Sequence, residues 1–107
     1  MKSQPVEFLA GVVTDLRSAR SFYDSWQSGG GERFHERFRE AIGWIGWNPE
    51  QFPRKHRHFR RAIVRRSYFA VYFAVEPGVT TVVALLDMRQ DPRVIRSLLL
   101  LRAGTSP

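Results

Sequence analysis

The segment Tyr68–Val75 (YFAVYFAV) constrains the chain more than any other. Tyr68, Ala70, Tyr72 and Ala74 alternate with Phe69, Val71, Phe73 and Val75, and all eight are apolar or aromatic. In an extended strand, neighbouring side chains leave on opposite faces, so both faces of this strand need cover. The run is too short to span a bilayer, and Pro77-Gly78 ends it as a turn would. It predicts the central strand of a sheet with material packed on each side.

The flanking segments supply that material. Val12, Leu16, Ala19, Tyr23 and Trp26 recur at helical steps and predict a helix over about 11–26. Phe34, Phe38, Ile42 and Ile45 predict a second helix over about 32–47, stopped by Asn48-Pro49. Ser28-Gly29-Gly30-Gly31 joins the two as the turn of a helical hairpin. Residues 5–8 read as a short strand, and Phe59–Arg66 and Thr80–Asp87 as longer ones. Asp91-Pro92 reads as an N-cap with proline at the first helical position. Val94, Ile95, Leu98, Leu99 and Leu101 then mark a short C-terminal helix ending near Gly104. The 107 residues, 43% hydrophobic, are enough for one core, so the expectation is a single soluble α+β domain over 1–107. Its N-terminal strand and helical hairpin pack on a small antiparallel β-sheet, and a short helix follows.

The net charge of +7 is local. Residues 54–66, read as one strand-forming segment, hold Arg54, Lys55, Arg57, Arg60, Arg61, Arg65 and Arg66 and no acid. Those seven leave ten of the 17 Lys/Arg to balance the ten Asp/Glu elsewhere. So dense a run seeks an anionic partner, nucleic acid or an acidic protein surface; the alternative is a solvated face. Alternation puts Arg61 and Arg65 on one face and Arg60 and Arg66 on the other.

Several chemistries lack their parts. The glycines at 29–31 are followed by Glu32-Arg33, not the Lys-Ser/Thr of a phosphate loop. His56 and His58 share a face in an extended segment, but zinc wants three or four ligands and their neighbours are cationic, so no metal or cofactor is expected. No G-x-S-x-G elbow is present, and Asp91 reads as a cap, not as one of a catalytic pair. A DNA-reading helix-turn-helix needs a basic second helix, and this one is nearly neutral. Without cysteine there is no disulfide or thiolate chemistry. No apolar leader is visible at the N-terminus. Trp44 and Trp47 leave the apolar stripe in part, so at least one is a candidate interface anchor, or else packs toward Trp26. A single surface cannot bury all of Leu98–Leu101, which makes Leu98 and Leu101 candidate interface residues for a second copy or another protein.

In order and spacing, the chain resembles toxins of the RelE/ParE superfamily, the ParE branch above all, from Val6 to Pro92. Asp15-Leu16, Ala19 and Phe22-Tyr23 sit as in that family's first helix. Gly31-Glu32-Arg33-Phe34 is similar to its G-x-R-F, and Asn48-Pro49-Glu50-Gln51-Phe52-Pro53 to its N-P-x-x-F-P loop. Arg60-Arg61 through Arg65-Arg66, then Ala70-Val71-Tyr72-Phe73, resembles its basic strand pair, and Arg89-Gln90-Asp91-Pro92 its R-R-D-P. Ser67-Tyr68-Phe69 stands where the family has F-P-Y, Asp87 where it has a histidine, and Gln90 where it has an arginine.

The resemblance implies a cytoplasmic bacterial toxin of a type II toxin-antitoxin system, neutralised by a cognate antitoxin with an acidic C-terminal tail. Arg60, Arg61, Arg65, Arg66 and Arg89 would be the antitoxin- or anion-binding residues. ParE-type members inhibit DNA gyrase; RelE-type members cleave mRNA on the ribosome, using arginines and a C-terminal Tyr or similar group. Phe69 stands where the nucleases carry a central-strand arginine, and no aromatic residue follows Phe73. The expectation is therefore a gyrase inhibitor with no catalytic residues of its own and no membrane partner, capable of homodimerising. A ribosome-dependent endoribonuclease, or a non-toxic remnant that only binds, is the alternative.

Overall fold

The computed structural model describes residues 3–104. Strand β1 (Val6–Phe8) leads into helices α1 (Gly11–Trp26) and α2 (Gly30–Trp47), and a 3₁₀ turn at Pro49–Gln51 follows. Then come β2 (Arg54–His56), β3 (Phe59–Ile63), β4 (Phe69–Glu76), β5 (Val79–Asp87) and α3 (Pro92–Arg102). The five strands form one sheet in the order β1-β5-β4-β3-β2. Four run antiparallel in sequence, while β1 joins β5 in parallel at the far edge, so the sheet is mixed.

β4 lies in the middle, covered on both sides. On one face Val71 and Phe73 meet Val12 and Ala19 of α1 and Phe34, Phe38, Ala41 and Ile45 of α2. On the other, Ala70, Tyr72 and Ala74 meet Ile95, Leu99 and Leu100 of α3, together with Phe59 from β3. Sealing a ring such as Phe34 away from water contributes about 2–3 kcal/mol. Asp91 accepts from the Arg93 amide at 2.8 Å, the N-cap that starts α3.

The basic segment differs from the expected single strand. It is a hairpin of β2 and β3, turned at Arg57 with φ of 53° and His58. The turn separates the two histidines: His56 is buried and His58 exposed. It also makes β2 the sheet edge and β3 an interior strand. β3 stops at Ile63, and the chain turns through Arg66 at φ 58°, so the strand alternation does not reach Arg65 and Arg66. α2 starts two residues earlier than expected. The helices approach so closely that a Cβ on Gly31 would sit 2.7 Å from the Arg20 carbonyl oxygen, and Gly29 turns at φ 79°. At the other end of α1, Asp15 accepts from the Leu85 amide at 3.0 Å and pairs with both terminal nitrogens of Arg102. One carboxylate thereby ties α1, β5 and α3 together.

Candidate functional site: basic surfaces on both faces of the sheet

The five candidate arginines do not form one site. Arg60 pairs with Phe73 in register and points to the helical side, where it donates to the Phe52 carbonyl at 2.6 Å and the Glu50 carbonyl at 3.3 Å. It braces the Pro49–Gln51 turn and is spent on structure. Arg61 pairs with Tyr72 and so points to the opposite face. Arg65 forms a fork with Glu40 of α2 at 3.0 and 3.2 Å. That contact holds the Glu40 carboxyl below its ordinary range. Arg66 turns toward Arg33 and Arg37 of α2. The expected pairing of Arg61 with Arg65 and of Arg60 with Arg66 therefore fails, because β3 ends before Arg65.

Arg89 is held at the end of β5. It chelates Asp87 through three side-chain contacts of 2.6–3.2 Å and lies over the Tyr68 ring at 3.9 Å. The Asp87 carboxyl is lowered by its hydrogen bond to the Arg89 side chain. Asp87, standing where the resembled family has histidine, thus masks the very cation it adjoins. Ser67 and Tyr68 also have local roles. Ser67 Oγ donates to the Val64 carbonyl at 2.7 Å, and the Tyr68 amide donates to the Tyr23 hydroxyl at 2.9 Å, a bond that proline cannot make.

Around Arg61 the structure gathers residues that no motif predicted. His56 packs its ring 5.9 Å from that of Tyr72, which is wholly buried. The Tyr72 hydroxyl has no hydrogen-bond partner, although the Arg61 guanidinium is near enough to favour its ionised form. Burial outweighs that influence and pushes the phenol up. His56 is pushed down, first by burial and then by Arg96, Arg61 and Lys55, so its imidazole is neutral near pH 7. Neither Arg61, Arg96 nor Lys55 makes an ion pair among the described residues. The result is a cationic surface from β2, β3 and α3 that makes no ion pair among the described residues, over a buried phenol; Asp91, already paired with Arg93, is the acid that feels Arg96. Sequence reading missed Arg96 and Tyr72 as members because they lie 35 and 11 residues from Arg61 and only the sheet register joins them.

The apolar candidates divide too. Trp44 and Trp47 are both about half exposed and meet edge to face at 5.8 Å. Trp26 is not their partner; it leans on Phe22 at 5.5 Å and is 65% exposed. Leu101 is 77% exposed, whereas Leu98 is partly buried against the α3 core. With the exposed Val94 they form one stripe along α3. Among the described residues, no helix is long and apolar enough to cross a membrane.

No family model and no curated protein matches the sequence. A solved structure described as the chromosomal ParDE TA system from P. aeruginosa contains a chain of similar architecture. That chain is 14% identical, with a TM-score of 0.66 over 77% of this chain and 92% of its own length. At that identity the likeness is one of fold, and the chain described here has the fold of that ParDE chain.

Proposed function

We propose that the chain is the toxin of a bacterial type II toxin-antitoxin system, of ParE type, which inhibits DNA gyrase until an acidic antitoxin covers it. The fold shared with a ParDE chain over most of both lengths carries this reading. The Arg61, Arg96 and Lys55 surface, which makes no ion pair among the described residues, supports the second half of it. An acidic tail lying there meets cations that make no ion pair among the described residues, whereas the Val94, Leu98 and Leu101 stripe lies on the other flank of α3 from Arg96 and is a separate apolar surface. Charge, more than strand addition, holds the tail in this reading. β3 already has neighbours on both sides, and the free edge, β2, is three residues long with an irregular register. Expression in a bacterial host tests the proposal: growth stops, and co-expression of the small acidic-tailed protein encoded in the adjacent frame restores it. Undisturbed growth at high expression counts against a toxin.

The Arg61 surface favours one alternative, a ribosome-dependent endoribonuclease. Guanidiniums that bind phosphate stand there beside a neutral imidazole and a phenol, which are possible proton carriers. Against it, the Tyr72 hydroxyl is sealed from solvent and Phe69 is part of an aromatic cluster with Phe22, Tyr23 and Phe34. Gyrase inhibition therefore stands as the first reading.

A further inference from the structure

A second concentration of positive charge lies on the helical side, between the α1–α2 turn and the β3–β4 turn. There a cleft of about 400 Å³ is lined by Tyr23, Trp26, Gly30, Arg33, Arg37 and Arg66. Arg33 and Arg37 are four residues apart on α2 and so share a face. Arg66 reaches it from the turn after β3, with its backbone in the left-handed region at φ 58°. A non-glycine residue held there costs free energy, and such conformations gather at functional sites. None of the three arginines makes an ion pair among the described residues. Arg33 donates weakly to the Ser28 carbonyl at 3.3 Å. Arg33, Arg37 and Arg66 also line the adjoining hollow, together with Glu36, Glu40 and Arg65, and there Glu40 is taken by Arg65, which leaves Glu36 as the one acid of that hollow without an ion pair among the described residues.

Arg33, Arg37, Arg65 and Arg66 face only Glu36 and Glu40 across the cleft and the hollow beside it, so the three cleft guanidiniums keep an excess of positive charge that an anion among them would relieve. A carboxylate offsets one charge. A phosphate group offsets up to two and presents several oxygens to the guanidinium forks. The wall beside them is the exposed indole of Trp26, a flat stacking surface. We propose that this cleft binds a nucleotide, with the phosphate among Arg33, Arg37 and Arg66 and the base against Trp26. Its size lies within the usual range of ligand pockets, about 300–1,000 Å³. A free mononucleotide and the 5′-phosphate end of a strand share this chemistry. The proposal does not depend on the toxin reading, since it uses the other face of the sheet.

Calorimetry on the full chain tests it, with AMP, ATP, inorganic phosphate and a tetranucleotide with and without a 5′-phosphate as probes. AMP and ATP are expected to bind at least about tenfold tighter than phosphate. Trp26→Leu should remove that advantage. Arg66→Gly should weaken every phosphate-bearing probe by at least about tenfold while leaving the thermal midpoint unchanged or raised, because glycine accepts the positive φ. Arg39→Ala, an exposed α2 arginine outside the cleft, is the control for net charge. Preference for the 5′-phosphorylated tetranucleotide identifies a strand end as the source; preference for mononucleotides identifies the free form. The proposal is overturned if nothing binds at millimolar concentration, or if Arg39→Ala and Arg66→Gly weaken binding equally. It is also overturned if a glutamate-rich peptide binds tighter than every nucleotide and is lost with Arg66→Gly.

Discussion

Arg60 and Arg61 are adjacent in the chain and face opposite sides of the sheet, Arg60 bound to the Phe52 carbonyl under the hairpin and Arg61 free beside Tyr72. If the proposed function holds, the pair separates structure from binding. Arg60→Ala should destabilise the fold by about 1–3 kcal/mol, since two backbone carbonyls lose a charged donor. Arg61→Ala should leave the unfolding midpoint nearly unchanged and weaken antitoxin binding by about 1–2 kcal/mol, about five- to thirtyfold, more so at low salt. Denaturation and titration of both variants separate the two effects. Equal losses of affinity would show that the face opposite the hairpin has no special part.

The Asp15–Arg102 contact should be the most costly polar link to break. Both side chains are largely buried, at 10% and 21% exposure, and Asp15 also holds the Leu85 amide. Asp15→Ala is expected to cost about 2–4 kcal/mol. Gly11→Ala should reproduce part of that loss, because its Cβ would lie 2.8 Å from the Arg102 guanidinium carbon. A double-mutant cycle of Asp15→Ala with Arg102→Ala should be clearly non-additive. Additivity in chemical denaturation would mean that the pair is not coupled.

Tyr72→Phe should stabilise the chain slightly, by up to about 1 kcal/mol, since it removes a buried hydroxyl that has no partner. Thermal unfolding reads this directly. A loss of more than about 1 kcal/mol would mean that the hydroxyl is bonded in solution.

Much of the fold was legible because its signals are local. The two-sided alternation of 68–75 placed β4 at the centre, and the helical stripes gave α1 almost to the residue. The Asp91 cap and Pro92 marked the start of α3. The site was less legible because it depends on where a strand ends. Alternation extended from Arg60 to Arg66 is sound only while the chain stays extended, and the left-handed Arg66 breaks it. The turn at Arg57 and His58 has no glycine or proline to announce it, so β2 and β3 read as one strand. The union of His56, Tyr72 and Arg96 arises from register and from α3 docking, which no short motif encodes.

Burial and the cations around His56 set a pH dependence. Its folded-state pKa lies below the usual histidine value of about 6.5, so the unfolded chain takes up the proton more readily. Its stabilising contribution is complete above about pH 6.5 and is lost as pH falls from there through the lowered folded value. His56→Gln should flatten this part of the curve. Stability measured from pH 8 to 5 on both proteins checks the sign, and an unchanged slope would place the acid sensitivity elsewhere.

Adding the purified chain to DNA gyrase in a supercoiling assay, with a translating extract run in parallel, separates a gyrase inhibitor from a nuclease. Supercoiling should be lost, with accumulation of gyrase-cleaved DNA, reversed by the antitoxin, and mRNA in the extract should stay intact. Unimpaired supercoiling, together with site-specific mRNA cleavage that Arg61→Ala and His56→Gln abolish, would rule out gyrase inhibition and establish the nuclease instead.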